Sequence, residues 1–163
     1  MSEVVRVGIA DMNIVFSPNT IRTTGLGSCV GVIIYDQYQS IAGLVHVMLP
    51  DSGIAKSQTD INKAKFADTA IKDLTEKLLK AGCKKLHLKS KIAGGAEMFS
   101  FSSSNDVMKI GPRNVEAVKT ALKTEGIELL SEETGGNSGR TIEFDPKTLQ
   151  LQIRSVSKGI RYI

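Results

Sequence analysis

The sequence predicts an α+β domain in which two helices pack against many short, mainly antiparallel strands. Short runs rich in β-branched residues recur through the chain and are separated by Gly-rich turns, as is typical of strands. Two segments instead repeat their apolar residues at three- and four-residue spacing, which indicates helices. Because the helical segments do not alternate regularly with the strands, we expect a layered α+β architecture and not a doubly wound parallel sheet.

The first third of the chain is predicted to be mainly β. Strands are expected at residues 4–10, 14–16, 29–35 and 41–48. The polar stretch between the last two, residues 36–40, is too short for a crossover helix. The simplest connection is therefore an antiparallel hairpin.

The two helices are expected at residues 59–81 and 112–125. Thr59 or Asp60 would cap the first helix and Gly82 would end it. Pro112 lies near the start of the second, and Gly126 follows its last residue. Further short strands are expected at residues 85–88, 91–93, 127–132, 140–144, 149–154 and 160–163.

Length and composition predict one domain spanning residues 1–163. The chain is 41% hydrophobic, enough for a core without disulfides, and its two cysteines require none. The net charge of +4 comes from basic residues spread along the chain, so a nucleic-acid partner is not predicted. The start of the chain lacks an export signal, and no apolar run approaches the ~18 residues of a membrane span. We therefore expect a cytoplasmic protein without membrane insertion.

A Gly-rich turn, residues 23–29, ends at Cys29 at the mouth of a predicted strand. Glycines there allow positive φ and let backbone N–H groups converge on an anion or a developing oxyanion. The turn lacks the third glycine of a dinucleotide fingerprint and the lysine of a phosphate loop. A nucleotide site is therefore not predicted.

The predicted hairpin would bring Cys29 and His46 together. The point midway between them falls inside the polar turn, so an unbulged hairpin places them opposite each other, with Cβ atoms about 5 Å apart. A slip of one or two residues would weaken this pairing, because the turn lacks an Asn-Gly signal. An imidazolium beside Cys29 would lower the thiol pKa and produce a nucleophile. The alternative is a buried cysteine beside a core histidine with a satisfied hydrogen bond.

A third group that hydrogen-bonds the other imidazole nitrogen would fix the orientation of His46. Thr23 or Thr24 could supply it. Two other residues suggest no chemistry. Cys83 follows a helix C-terminus, where a thiolate is disfavoured, and is expected to be a small apolar filler. His87 is expected on a strand, on the face opposite its flanking leucines.

Six segments, in order along residues 4–154, closely resemble the chemoreceptor glutamine deamidase (CheD) family of bacterial and archaeal chemotaxis. They are Gly25-Leu26-Gly27-Ser28-Cys29-Val30, His46-Val47-Met48-Leu49-Pro50, Lys65-Phe66-Ala67-Asp68-Thr69-Ala70, Lys91-Ile92-Ala93-Gly94-Gly95-Ala96-x-Met98-Phe99, Ile110-Gly111-x-Arg113-Asn114 and Thr134-Gly135-Gly136-Asn137-x-x-Arg140.

The resemblance implies a protein-glutamine amidohydrolase that converts glutamines on the cytoplasmic helices of methyl-accepting chemotaxis receptors to glutamates, and so regulates chemotaxis. It implies a Cys-His-Thr triad of Cys29, His46 and Thr23, a thioester intermediate, and a layered α/β/β fold similar to the catalytic domain of cytotoxic necrotizing factor toxins. The alternative is a regulatory binding module that docks on receptors and on the CheC phosphatase. Met98, Phe99 and Phe101 would then form either core or an apolar docking patch. No cofactor is expected, and the few dispersed cysteines and histidines do not predict a metal site.

Overall fold

Two five-stranded sheets and two helices make up three layers over the residues that this computed structural model describes, 2–55, 59–97 and 109–163. The strands are β1 (Val4–Val7), β2 (Met12–Phe16), β3 (Thr20–Leu26), β4 (Val30–Asp36), β5 (Ile41–Val47), β6 (Leu88–Gly94), β7 (Glu128–Thr134), β8 (Arg140–Asp145), β9 (Gln150–Ser155) and β10 (Gly159–Tyr162). The helices are α1 (Ala67–Lys80), between β5 and β6, and α2 (Ile110–Thr124), between β6 and β7.

Strand order distinguishes a central sheet from an outer sheet. The central sheet runs β2-β5-β4-β6-β7, and the outer sheet runs β1-β3-β8-β9-β10. Most neighbouring strands are antiparallel, whereas the pairs β1–β3 and β6–β7 are parallel. The predicted α+β class with mainly antiparallel strands is confirmed.

The central sheet is covered on both faces because its strands carry apolar residues at consecutive positions. Val30, Val32 and Ile34 of β4 pack in one apolar layer with the buried faces of α1 and α2. Ile33 and Tyr35 point the other way, into a second layer shared with the outer sheet. A strand buried on both faces has no polar side, and every residue of β4 is buried. The layers therefore follow the predicted α/β/β order.

Helix α1 begins at Ala67, so the predicted start at Thr59 or Asp60 is wrong. Residues 63–65 form a turn, and Phe66 after it is extended: Leu49 and Phe66 form a parallel bridge, and the Ala67 N–H donates to the Leu49 carbonyl oxygen at 2.9 Å. This tertiary contact prevents the helix from starting earlier. The predicted end is confirmed, because Gly82 follows the last turn with a φ of +112°. Helix α2 ends before Gly126 as predicted and begins two residues earlier than expected.

Two strand predictions need correction. Residues 20–26 form strand β3, where no strand was predicted and residues 23–26 were assigned to the Gly-rich turn; β3 pairs with β1 on one side and β8 on the other. Residues 85–87 form a 3-10 turn, and the single strand β6 replaces the two predicted at 85–88 and 91–93. A hydrogen bond from the His87 N–H to the Lys84 carbonyl oxygen, 2.9 Å, closes that turn.

In the described ranges, neither helix has the length and apolarity to cross a bilayer.

Candidate active site

Strands β4 and β5 form the predicted antiparallel hairpin, but its register differs from the expected one by two residues. His46 is paired with Gly31, and the last pair at this end is Val30 with Val47. The predicted direct pairing of Cys29 with His46 is therefore wrong, and the two residues are diagonal neighbours. Because side chains alternate along a strand with a period of two, an even slip leaves both residues on the same face. That face points toward the outer sheet, where Cys29 packs at the edge of the apolar layer between the sheets.

Thr23 reaches His46 from the other sheet. Its Oγ1 lies 2.8 Å from His46 Nδ1, and both side chains are buried. Thr23 is the last regularly paired residue before a bulge in β3: the pairing with β8 shifts between Thr23 and Leu26, with Gly25 at a φ of +72°. Thr24 falls in the bulge and is exposed. Of the two threonines left open by the sequence, the structure thus brings Thr23 to His46.

The hydrogen bonds of Thr23 determine the tautomer of His46. The hydroxyl also lies 2.8 Å from the Val7 carbonyl oxygen, which can only accept. The single hydroxyl proton is therefore directed at Val7, and Oγ1 must accept a hydrogen bond from His46 Nδ1–H. A neutral His46 then carries a bare lone pair on Nε2. This nitrogen is buried and has no hydrogen-bond partner within the described residues.

Burial shifts the pKa values of both Cys29 and His46 toward their neutral forms. Desolvation raises the pKa of the Cys29 thiol, an effect partly offset by a hydrogen bond from its own backbone N–H. Desolvation also lowers the pKa of His46. These directions oppose the thiolate–imidazolium pair that the sequence analysis expected, because low-dielectric surroundings penalise both charges. Both shifts favour a thiol and a neutral imidazole.

The start of β4 is fixed by close contact with β6 and the chain after it. The Gly95 N–H donates to the Cys29 carbonyl oxygen at 2.8 Å, and the Ala96 N–H donates to the Gly27 carbonyl oxygen at 2.8 Å. Gly94 has a φ of +117°, and a Cβ there would lie 2.3 Å from the Cys29 carbonyl oxygen. A larger residue at position 94 would therefore displace the backbone of Cys29.

The buried Arg140 links a second Gly-rich segment, at Gly135, to Gly94 next to the start of β4. Arg140 donates to the carbonyl oxygens of Gly94 and Gly135, at 3.3 and 2.8 Å, and to Glu133 Oε2 at 2.8 Å. The Gly135 N–H in turn donates to the Gly94 carbonyl oxygen at 3.0 Å. Segments that are far apart in sequence thus converge beside Cys29.

Asn114 belongs to one of the six segments that resemble the family, but no role was predicted for it. It is fully buried on α2, and its Nδ2 donates to the carbonyl oxygens of Ser28 and Met48. Asn114 and Arg140 are the residues near Cys29 that reasoning from spacing missed. The available signal was the presence of each polar residue in a Gly-containing motif, at Gly111 and at Gly135-Gly136.

Two further residues considered from the sequence, Cys83 and His87, lie at the opposite end of the β4–β5 hairpin from Cys29. Cys83 is the buried apolar filler expected: it packs in the layer between the helices and the central sheet, and burial, with the nearby Asp36 charge, raises its pKa to about 11. His87 is in the 3-10 turn and not on a strand, so that expectation is wrong. Met98, Phe99 and Phe101 lie outside the described residues. Within the described ranges, no three or more His, Cys, Asp or Glu side chains are grouped as metal ligands.

Comparisons with known proteins place the chain in a family. The family model described as CheD chemotactic sensory transduction matches residues 48–155. The chemoreceptor glutamine deamidase CheD of Bacillus velezensis is 59% identical over 156 residues, which cover 96% of this chain and 93% of that relative. The Bacillus subtilis protein of the same name is 56% identical over 160 residues, covering 98% and 96%.

One solved structure, that of Neisseria meningitidis protein NMB0706, aligns with a TM-score of 0.49 and 10% identity over 82% of this chain and 64% of that one. This likeness is too weak for any inference about fold or function. The sequence relatives are close and span nearly the whole chain. The chain therefore belongs to the chemoreceptor glutamine deamidase (CheD) family.

Proposed function

We propose that this protein deamidates glutamine side chains of chemotaxis receptors, with Cys29 as nucleophile, His46 as general base and acid, and Thr23 as the residue that orients His46. The names of its relatives support the substrate and the reaction. The residue assignment rests on the Thr23–His46 hydrogen bond. Because Thr23 accepts the proton on Nδ1, the other ring nitrogen, Nε2, keeps a lone pair that can act as a base. Of the two cysteines, Cys29 is the partly exposed one.

The first half-reaction forms a thioester. His46 Nε2 takes the proton from the Cys29 thiol as sulfur attacks the side-chain carbonyl carbon of the glutamine. The tetrahedral intermediate collapses when the imidazolium returns that proton to the departing nitrogen, which leaves as ammonia. The carbon–nitrogen bond is broken, a carbon–sulfur bond is formed, and the imidazole is neutral again.

The directions of the two pKa shifts support this order of events. Since burial raises the pKa of Cys29 and lowers that of His46, the thiol keeps its proton until the substrate arrives. Transfer to His46 then accompanies attack. Thr23 accepts from Nδ1–H throughout and so keeps Nε2 available as the base.

The oxyanion would be held by a backbone N–H group at the end of the Gly-rich turn. The Gly27 N–H donates to the Gly25 carbonyl oxygen at 3.1 Å, so it is already engaged. The Cys29 N–H already donates to its own sulfur, so the Ser28 N–H, one residue before the nucleophile, is the better candidate. Preorganised donors of this kind are each worth about 3–4 kcal/mol of transition-state stabilisation.

The second half-reaction hydrolyses the thioester. Neutral His46 removes a proton from water, which attacks the thioester carbonyl carbon, and the imidazolium then protonates the departing Cys29 sulfur. The product is a glutamate side chain. Each turnover therefore adds one negative charge to the receptor helix, and this change would regulate signalling.

The test is mass spectrometry of a receptor cytoplasmic fragment incubated with the protein. Wild type should produce the mass gain of amide-to-acid conversion at defined glutamines, and Cys29→Ala should reduce the rate by several orders of magnitude. The matched control is Cys83→Ala, which removes the buried thiol from the other layer and should keep the rate within about threefold of wild type. If wild type binds the fragment without deamidating it, the alternative of a docking module for receptors and the CheC phosphatase replaces this proposal.

A further inference from the structure

Asn114 joins the two strands that bring Cys29 and His46 to the site. It lies in the second turn of α2 and has no exposed surface. Its Nδ2 donates to the Ser28 carbonyl oxygen at 3.0 Å and to the Met48 carbonyl oxygen at 2.8 Å. Ser28 immediately precedes the proposed nucleophile, and Met48 lies two residues after the proposed base.

The two carbonyl groups lie where the β4–β5 ladder has ended. Val30 and Val47 are its last pair, so the peptide groups beyond them are no longer held by strand pairing at that edge. The two hydrogens of one side-chain amide bridge this gap. The register makes Met48 the position across from Cys29, and the bridge therefore sits at the level of the sulfur-bearing residue.

The chemistry of this bridge requires an amide. Both acceptors are carbonyl oxygens, so the group between them must donate twice, which identifies the NH₂ end of the side chain. A carboxylate at this position would place an oxygen where the NH₂ group now donates, facing the two carbonyl oxygens without a hydrogen between them. An aliphatic side chain would donate no hydrogen bond. Asn114 Oδ1 is buried without a partner in the described part of the chain, a cost that the two donated bonds have to outweigh.

Helix α2 is held close enough for Asn114 to reach the gap. A Cβ at Gly111 would lie 2.4 Å from the Ala96 carbonyl oxygen and 2.6 Å from that of Gly95. The Gly95 and Ala96 N–H groups bind the Cys29 and Gly27 carbonyl oxygens. The start of α2 is thus packed directly against the segment that supports Cys29.

We propose that Asn114 is a positioning residue for deamidation: its side-chain NH₂ sets the placement of the Ser28–Cys29 peptide relative to the strand that carries His46. The inference rests on the proposed function, and it deepens the account of that site. Displacement of reacting groups by about 1 Å can cost about a hundredfold in rate. Loss of the bridge should therefore lower kcat by about ten- to a hundredfold and leave KM nearly unchanged.

The test compares Asn114→Asp and Asn114→Ala with Thr75→Ala. Thr75 is a buried polar residue on α1 whose Oγ1 bonds the Ile71 carbonyl oxygen of its own helix at 2.7 Å, so its loss costs stability without touching the Cys29 segment. Deamidation kinetics and thermal unfolding would be measured for all three. If Asn114→Asp does not fold, Asn114→Ala decides. The inference is overturned if Asn114→Ala keeps the kcat of Thr75→Ala.

A second readout does not depend on deamidation. The rate at which iodoacetamide alkylates Cys29, followed by peptide mass spectrometry against pH, reports how His46 assists removal of the thiol proton. We expect the profile of Asn114→Ala to move toward that of His46→Ala, whereas Thr75→Ala keeps the wild-type profile. A wild-type profile in Asn114→Ala, or identical profiles for wild type and His46→Ala, would overturn the inference. Absence of deamidation by wild type would refute the proposed function and leave this readout valid.

Discussion

A cysteine and a histidine lie at each end of the β4–β5 hairpin, yet the two ends differ in the groups that surround the histidine and in the exposure of the cysteine. At the open end, where the ladder stops at Val30 and Val47, lie Cys29, His46 and Thr23. At the turn end lie Cys83, His87 and Asp36. Similar residue types therefore occur at both ends of one pair of strands.

At the turn end every acceptor of the buried carboxylate is used. Burial alone would raise the pKa of Asp36, but N–H groups of Lys84, Tyr38 and Gln39 donate to it and hold its pKa below the ordinary value, with help from His87. His87 Nδ1 lies 3.4 Å from Asp36 Oδ2, and its ring packs edge-on against Tyr38. These contacts connect the turn to the segment after α1.

Each end leaves one buried imidazole nitrogen without a hydrogen bond in the described ranges: His87 Nδ1 at the turn end, which lies 3.4 Å from the Asp36 carboxylate, and His46 Nε2 at the open end. The other ring nitrogen of His46, Nδ1, is bound by Thr23. Leaving a buried polar atom unpaired costs about 1–3 kcal/mol. The comparison teaches that a thiol and an imidazole are not enough to predict reactivity. The open end combines a partly exposed cysteine with a histidine on the same sheet face, whereas the turn end combines a buried cysteine with a histidine next to a carboxylate, so the open end is the one suited to chemistry.

The largest change in kcat is expected for Thr23→Val at the open end, a substitution that keeps the shape of the side chain and removes the hydroxyl. Without it Nδ1 has no acceptor, the tautomer is no longer fixed, and kcat should fall by about a hundred- to ten-thousandfold. Deamidation kinetics on a receptor fragment measure this. Thr24→Val is the matched control, since Thr24 is exposed in the bulge, and Thr23→Ser should recover most of the rate. A Thr23→Val rate within threefold of wild type would contradict the assignment.

Removing the carboxylate at the turn end should affect stability and not catalysis. Asp36→Ala loses three charge-assisted hydrogen bonds and should lower the free energy of unfolding by about 2–4 kcal/mol, with kcat unchanged at temperatures where the variant is folded. Asp145→Ala is the control, because Asp145 accepts one N–H, from Lys147, in an exposed turn, and should cost about 0.5–1 kcal/mol. Urea unfolding measures both. Equal losses in the two variants would show that burial of Asp36 does not matter.

The smallest effect expected is a difference in acid sensitivity. His46 has a lowered pKa, so below about pH 6.5 the unfolded chain takes up a proton that the folded chain does not, and the free energy of unfolding falls by up to about 1.4 kcal/mol per pH unit. Asp36 also has a lowered pKa, and its contribution is lost only as pH falls below about 3.9. As the pH falls, His46 should therefore lower the free energy of unfolding before Asp36 does.

Urea unfolding at a series of pH values tests this, with His46→Gln as reference. The variant should lack the part of the slope below about pH 6.5 that belongs to His46, and comparing the two slopes removes the contributions of other groups. The acid limb of kcat/KM should also lie below the ordinary histidine value of about 6.5, since the base must be neutral. Identical slopes for wild type and His46→Gln would contradict a lowered pKa.

Local patterns predicted most of the secondary structure, and failed where distant contacts intervened. The hairpin and the ends of both helices follow from composition and glycine position, which act within a few residues. The predicted start of α1 was wrong because the bridge to Leu49 keeps Phe66 extended, directly before the first helical residue. Strand β3 was missed because its glycine lies in a bulge, and a glycine reads as a turn unless the neighbouring strands β1 and β8 are known. The assignment of a single domain over residues 1–163 stays a prediction.

For the site, the amino-acid sequence determined the family, the hairpin, and the placement of Cys29 and His46 on one face, because alternation along strands preserves a face through any even slip. Tertiary structure decided the rest. It set the register, it chose Thr23 over Thr24 by bringing a second sheet against the first, and it placed the amide of Asn114 between two carbonyl groups. It also shifts the pKa values of Cys29 and His46 toward their neutral forms, because those pKa values depend on how much water the surrounding layers exclude, and no local sequence pattern specifies that.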